Sequence, residues 1–91
     1  MVRRLLVFGR VQGVWYRGWT VDTARALGLD GWVRNRRDGS VEIVAAGSED
    51  AVALFIERCR HGPAAARVDR IDVEESEEAV PAGFAQKPTL S

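Results

Sequence analysis

Cysteine, histidine and lysine each occur once in this 91-residue sequence, and no apolar run approaches the length of a membrane span. A lone cysteine cannot build an internal disulfide framework. Without a His/Cys cluster there is no candidate structural zinc site either, and no metal ligand set is expected. The basic opening, Met1-Val2-Arg3-Arg4-Leu5-Leu6, runs into Gly9 with neither an extended apolar region nor a small-residue cleavage site. That pattern does not fit a signal peptide, and the cytoplasm is the expected location. Long charged or low-complexity tracts are also missing, while 46% of the residues are hydrophobic. A single domain over residues 1–91 is therefore expected, burying roughly 60–70% of the surface of its unfolded chain.

Charge of one sign is scarce overall, because thirteen basic and thirteen acidic residues cancel. The distribution is lopsided. Residues 1–40 hold eight arginines and three acids, whereas residues 41–91 hold five basic and ten acidic residues. An anionic ligand of the first half is plausible on this count. Folding that interleaves the halves would cancel most of the field, since exposed pairs are weak and screened.

The densest information lies in Gly9-Arg10-Val11-Gln12-Gly13-Val14-Trp15-Tyr16-Arg17. It follows the strand-like run Leu5-Leu6-Val7-Phe8 and leads into a helical pattern that begins near Arg17. Gly9 and Gly13 allow sharp turning, and successive N–H groups in such a turn form a concave anion site. No Ser, Thr, Asp or Asn lies in this stretch to cap the helix, so its first N–H groups lack a side-chain acceptor. A bound anion could fill that role at the positive end of the helix. Arg17 adds a planar guanidinium suited to two phosphate or carboxylate oxygens. The segment reads as a phosphate cradle formed by Gly9, Val11, Gln12, Gly13, Val14, Trp15 and Tyr16, with Gln12 acting mainly through its backbone N–H.

The remaining pattern gives the order strand, helix, strand, strand, helix, strand. The first helix spans about Arg17 to Leu27, with Thr20, Ala24 and Leu27 on one stripe and Gly28 positioned to end it. Gly31 to Arg36 reads as the second strand and Val41 to Ala46 as the third, joined by Asp38-Gly39 in a two-residue type I′ turn. Ser48 reads as the N-cap of a second helix whose stripe is Val52, Phe55, Ile56 and Cys59. Gly62-Pro63 stops it, and Val68 to Glu74 forms the fourth strand. The tail, residues 76–91, reads as partly irregular, with a short edge strand at Phe84 to Lys87 ended by Pro88.

This order implies an α+β, ferredoxin-like βαββαβ sandwich with two helices on one face of an antiparallel or mixed sheet. Right-handed crossovers make the first and second strands parallel, with the third between them. Their carboxyl ends then share one sheet edge, about 10 Å apart at two strand spacings. The cradle leaves one of those ends and Asn35 lies near the other. Arg17 and Asn35 are thus the candidate pair around a bound ligand.

Four pieces in order now become recognisable: Val7 to Arg17, Gly28 to Asn35, Asp38-Gly39-Ser40-Val41-Glu42, and Arg67-Val68-Asp69-Arg70-Ile71. Over roughly residues 4–75 the sequence resembles the small, single-domain acylphosphatases. The resemblance implies hydrolysis of an acyl phosphate to a carboxylate and inorganic phosphate, without metal or cofactor. It also implies that Arg17 and the loop N–H groups bind the phosphoryl group and that Asn35 orients the attacking water, with the substrate's own phosphate helping to accept the proton. Inorganic phosphate is then a product and inhibitor, and a monomer is expected. Three positions depart from the family pattern: Arg36 stands where Thr is frequent, Tyr16 where Phe is commoner, and the tail lacks the usual aromatic and basic ending.

Other residues have simpler roles. His61 sits at a helix C-terminus, where its charge suits the dipole. Cys59 reads as a small core residue. Trp15 and Trp19 read as packing residues, or as a pocket mouth able to meet an aromatic acyl group. The acidic run Glu74 to Glu78 reads as a solvated strand end. An RNA-binding module of the same strand order would stack bases on central-strand aromatics, and Val41 to Ala46 has none. A non-catalytic acyl or carbamoyl phosphate-binding module is the remaining alternative. The related domain of a larger carbamoyl-transfer protein has Pro after the Arg, whereas Arg17 is followed by Gly18. That difference, together with the end of the chain at Ser91, makes a free-standing enzyme the expectation. No nucleic acid or membrane partner is expected.

Overall fold

A computed structural model of the chain describes residues 1–89. The elements are β1 (Val2–Arg10), α1 (Tyr16–Ala26), β2 (Asp30–Asn35), β3 (Val41–Ala46), α2 (Glu49–Cys59), β4 (Arg67–Glu75) and β5 (Phe84–Gln86). They build a five-stranded sheet in the order β4-β1-β3-β2-β5. The strand β3 runs antiparallel to both β1 and β2, so those two are parallel, as the crossover rule predicts. The short strand β5 joins the outer edge of β2 in parallel, which makes the sheet mixed. The fold is the ferredoxin-like α+β sandwich.

Period-two alternation decides which face is packed. Leu5 and Val7 of β1, Val33 of β2 and Val41, Ile43 and Ala45 of β3 join one buried cluster with Val21 and Ala24 of α1 and Val52, Phe55 and Cys59 of α2. The side chains between them in sequence, including Arg4, Arg34 and Glu42, belong to the opposite face. Ser48 caps α2 as expected, accepting from the Ala51 N–H at 3.2 Å. The first helix ends at Gly28 through paired bonds from Gly28 N–H to the Arg25 carbonyl and from Leu29 N–H to the Ala24 carbonyl. Among the described residues, no helix is long and apolar enough to cross a membrane.

The β2–β3 connection differs from expectation. A type I′ turn needs positive φ at Asp38, yet Trp15 is the only non-glycine residue with positive φ among the described residues. Instead Gly39 N–H donates to the Arg36 carbonyl, Arg36 N–H donates to the Ser40 carbonyl, and Gly39 alone takes φ 92°. The result is a three-residue loop closed by a glycine bulge. Asp38 keeps normal φ because its carboxylate accepts from both the N–H and the hydroxyl of Ser40. The second strand consequently stops at Asn35, one residue before the predicted Arg36.

On the open face Glu42 is 3% exposed and sits among three guanidinium groups, at 2.6 Å from Arg4, 2.7 Å from Arg34 and 3.4 Å from Arg36. Arg4 also pairs with Glu74, and Arg3 with Glu75. Trp32 donates its indole N–H to Glu78 at 2.7 Å. The acidic run is therefore a set of partners for the first-half arginines and for Trp32, not merely a solvated end. Apart from β5, residues 76–89 form no strand or helix, and positions 90 and 91 of the expected irregular tail lie outside the described residues.

Burial pushes the Glu42 carboxyl up, but hydrogen bonds from Arg34 and Arg4 and the attraction of both cations outweigh it and hold the group below its ordinary 4.5. The unfolded chain therefore takes up this proton first on acidification. The stabilisation is present above about pH 4.5 and fades as pH falls through the folded value. Replacing Glu42 by Gln should cost about 1–3 kcal/mol at pH 7, because charged hydrogen bonds are lost. The loss should shrink toward pH 3 in urea unfolding curves. An equal loss at both pH values would remove the ionised carboxylate as its source.

Candidate active site

The first strand runs two residues further than its apolar core, to Arg10, and this moves the start of the cradle. Gly9 pairs with Val68 of β4 across a bulge that shifts the register after Phe8. Its φ is 133°, and a Cβ there would overlap the Arg67 carbonyl oxygen. Gly9 is thus required for the close approach of β4 and lies outside the cavity described below. The chain turns away from the sheet only at Val11, whose side chain is buried in the core.

Residues 12–15 form a continuous bend that ends on Trp15, in the left-handed region at φ 66°, ψ 21°. Such a conformation costs a bulky residue of order 1–3 kcal/mol and points to a local requirement. Here it turns the chain directly into α1. Trp15 gives that helix no side-chain cap, and the first helical bond runs from the Trp19 N–H to the Trp15 carbonyl at 3.0 Å. The N–H groups of Tyr16, Arg17 and Gly18 therefore precede any intrahelical acceptor. The uncapped helix start expected from the sequence is present, one residue earlier than predicted.

Two anchors hold this start. The Tyr16 ring is 1% exposed, and its hydroxyl donates to the Cys59 carbonyl at the end of α2, at 2.6 Å. Burial, with the neighbouring Cys59, drives that hydroxyl far above its usual range, so it remains a donor. The second anchor is the Gln12 side chain. Its amide donates to the Arg36 carbonyl at 2.8 Å and to the Ser40 carbonyl at 2.9 Å. The Gln12 side chain thus has a structural role beside the mainly backbone one expected from the sequence. It fastens the cradle to the loop that immediately follows Asn35.

These constraints bring Arg17 and Asn35 to one cavity of about 140 Å³. Of the loop residues proposed from the sequence, Val11, Gly13, Trp15 and Tyr16 line it, together with Gly18 and Gln86. Gly9, Gln12 and Val14 do not. Val14 instead packs, partly buried, against the core. Arg17 makes no ion pair among the described residues, while Arg3, Arg4, Arg34 and Arg36 are matched with acids. Acids thus match four of the eight first-half arginines, and of those in no ion pair among the described residues (Arg10, Arg17, Arg25 and Arg37) Arg17 alone lines the cavity. The Asn35 Oδ1 atom is buried without a hydrogen-bond partner among the described residues. A buried acceptor left unpaired is costly, so this one marks a place where a donor belongs.

Gly18 and Gln86 were not anticipated. Gly18 is the next residue of the helix start and could have been included. Gln86 comes from β5, and nothing in its local sequence says that this strand joins β2. His61 lies at the end of α2, where its Nε2 is 3.7 Å from Glu57, and it does not line the cavity. Burial pushes the Cys59 thiol up to about 12, which leaves it a core residue and not a nucleophile.

The family model described as Acylphosphatase matches residues 3–86. An acylphosphatase of Rhizorhabdus wittichii is 61% identical over 90 residues, covering 99% of this chain and 91% of that protein. The crystal structure of acylphosphatase from Bacillus subtilis superposes with a TM-score of 0.89 at 39% identity, covering 96% of this chain and 99% of the other. An acylphosphatase structure from Coxiella burnetii gives a TM-score of 0.90 at 34% identity, covering 94% and 90%.

Proposed function

Because the chain belongs to the acylphosphatase family and hydrolyses acyl phosphates, we propose that Arg17 and the amides around residues 11–18 bind the phosphoryl group and that Asn35 aims the attacking water. One observation carries this assignment: a guanidinium and an amide oxygen from different elements, neither of them partnered among the described residues, line the same small cavity. The Asn35 Oδ1 atom accepts a hydrogen from water and turns its lone pair toward phosphorus. The new P–O bond forms as the P–O bond to the acyl group breaks, and the carboxylate leaves with the electron pair. The water's proton passes to a phosphoryl oxygen of the substrate.

Charge on the phosphoryl oxygens is met by donors already in place, the setting in which fixed dipoles act most strongly. A carboxylate is a good leaving group and needs no acid. The proposed machinery therefore involves neither metal nor cofactor. We further propose a monomeric, single-domain enzyme over residues 1–91, acting in the cytoplasm on small molecules. Support for excluding nucleic acid comes from the central strand β3, which has no aromatic residue, and from the pairing of Arg4, Arg34 and Arg36 with Glu42.

Hydrolysis of a synthetic acyl phosphate in excess chelator should proceed at the same rate as with added magnesium, with competitive inhibition by inorganic phosphate. A rate that depends wholly on magnesium would overturn the metal-free assignment. Phosphate binding without turnover would point to a binding module instead.

A further inference from the structure

A second, larger groove adjoins the proposed catalytic cavity. It lies between α1 and β5, has a volume of about 390 Å³, and shares Trp15, Gly18 and Gln86 with the cavity as common walls. We propose that this groove receives the acyl arm of the substrate and selects a flat, uncharged arm of aromatic size. The inference rests on the phosphoryl assignment above, because the arm is located relative to a phosphoryl group held at Arg17.

Three features favour that occupant. Trp15 is 62% exposed, the most open large apolar side chain among the described residues. Its indole lies on Gly18, where a Cβ would overlap the indole Nε1, so the absent side chain seats the ring against the first turn of α1. A ring fixed on one side and open on the other is a stacking platform for a planar group. Beyond it the walls are Val21 and the small Ala85. Finally, Asp22 and Arg25 both line the groove with opposite charges, so an anion attracted by one is repelled by the other. The Arg25 Nε also donates to the Phe84 carbonyl at 3.1 Å, tying α1 to β5 and fixing the width.

The test compares acetyl phosphate, succinyl phosphate and 2-naphthoyl phosphate on the purified chain. Ala85→Trp and Asp22→Trp narrow the groove from opposite walls at exposed positions, outside the phosphoryl machinery. Each should lower the naphthoyl-to-acetyl ratio of kcat/KM about tenfold or more, the scale on which a pocket discriminates apolar groups. Acetyl phosphate turnover and the phosphate inhibition constant should stay within about twofold, since neither probe needs the groove. An unchanged ratio in the variants that fold, a parallel fall for acetyl phosphate, or wild-type preference for succinyl over naphthoyl phosphate would each overturn the proposal. Arg17→Ala, run alongside, should impair all three substrates together. If it spares acetyl phosphate, the phosphoryl assignment fails on its own account, whatever the groove variants show.

Discussion

Arg17→Ala should weaken inhibition by inorganic phosphate by about 1.5–3 kcal/mol, a roughly ten- to hundredfold rise in the inhibition constant, through loss of charge-assisted hydrogen bonds. The loss should be large because no other side chain takes over. Among the described residues Arg17 is the only charged side chain lining the cavity. It is not spent on an internal ion pair, so its removal leaves no buried acid unmatched. Stability should therefore move little, which separates a ligand effect from a folding effect. Turnover should fall as well, because the same guanidinium holds the phosphoryl group in line between the attacking water and the leaving carboxylate. Arg17→Lys should recover only part of the loss, since an ammonium cannot present the paired donors of the guanidinium. Phosphate inhibition unchanged in Arg17→Ala would place the anion elsewhere.

Asn35→Ala should act on a different quantity. Turnover should fall about 100-fold or more while the inhibition constant for phosphate stays near that of the native chain. The division follows from the chemistry of the atom. Oδ1 is an acceptor, and a phosphate dianion offers it little, whereas a water molecule offers a hydrogen. Removing the amide leaves phosphate on its amides and guanidinium but frees the water to point in any direction, an orientational cost of the kind that enzymes avoid by positioning. Truncation also removes an orphaned buried acceptor, so stability should hold or rise slightly. Wild-type turnover in this variant would remove Asn35 from the reaction, and a matching loss of phosphate affinity would recast it as a binding residue.

Much of this arrangement is legible in the sequence. The limits of β3 at Val41 and Ala46 and the Ser48 cap follow from side-chain period and capping chemistry, which act within a few residues. The pairing of Arg17 with Asn35 followed from strand order, because a right-handed crossover leaves few ways to arrange β1, β3 and β2. The readings that failed depended on contacts between distant segments. Gly9 has the composition of a cradle hinge, whereas its close contact with Arg67 is set by β4, far along the chain. The Gln12 amide finds its acceptors at Arg36 and Ser40, beyond the reach of local reasoning. Asp38-Gly39 carries the composition of a two-residue turn, yet the hydrogen bonds of Ser40 to the Asp38 carboxylate favour the longer loop. Gln86 could be assigned to a strand but not to a neighbour.

The anchoring of Gln12 to Ser40 ties catalysis to the assembly history of the sheet. Arg17 follows one strand and Asn35 ends another, and the strand that separates them comes later in the chain than either. The spacing of the two proposed groups is therefore set by β3, which pairs with β1 on one side and β2 on the other. Hydrolysis should therefore return during refolding no earlier than the pairing of β3 with both neighbours, which brings the Ser40 carbonyl to Gln12.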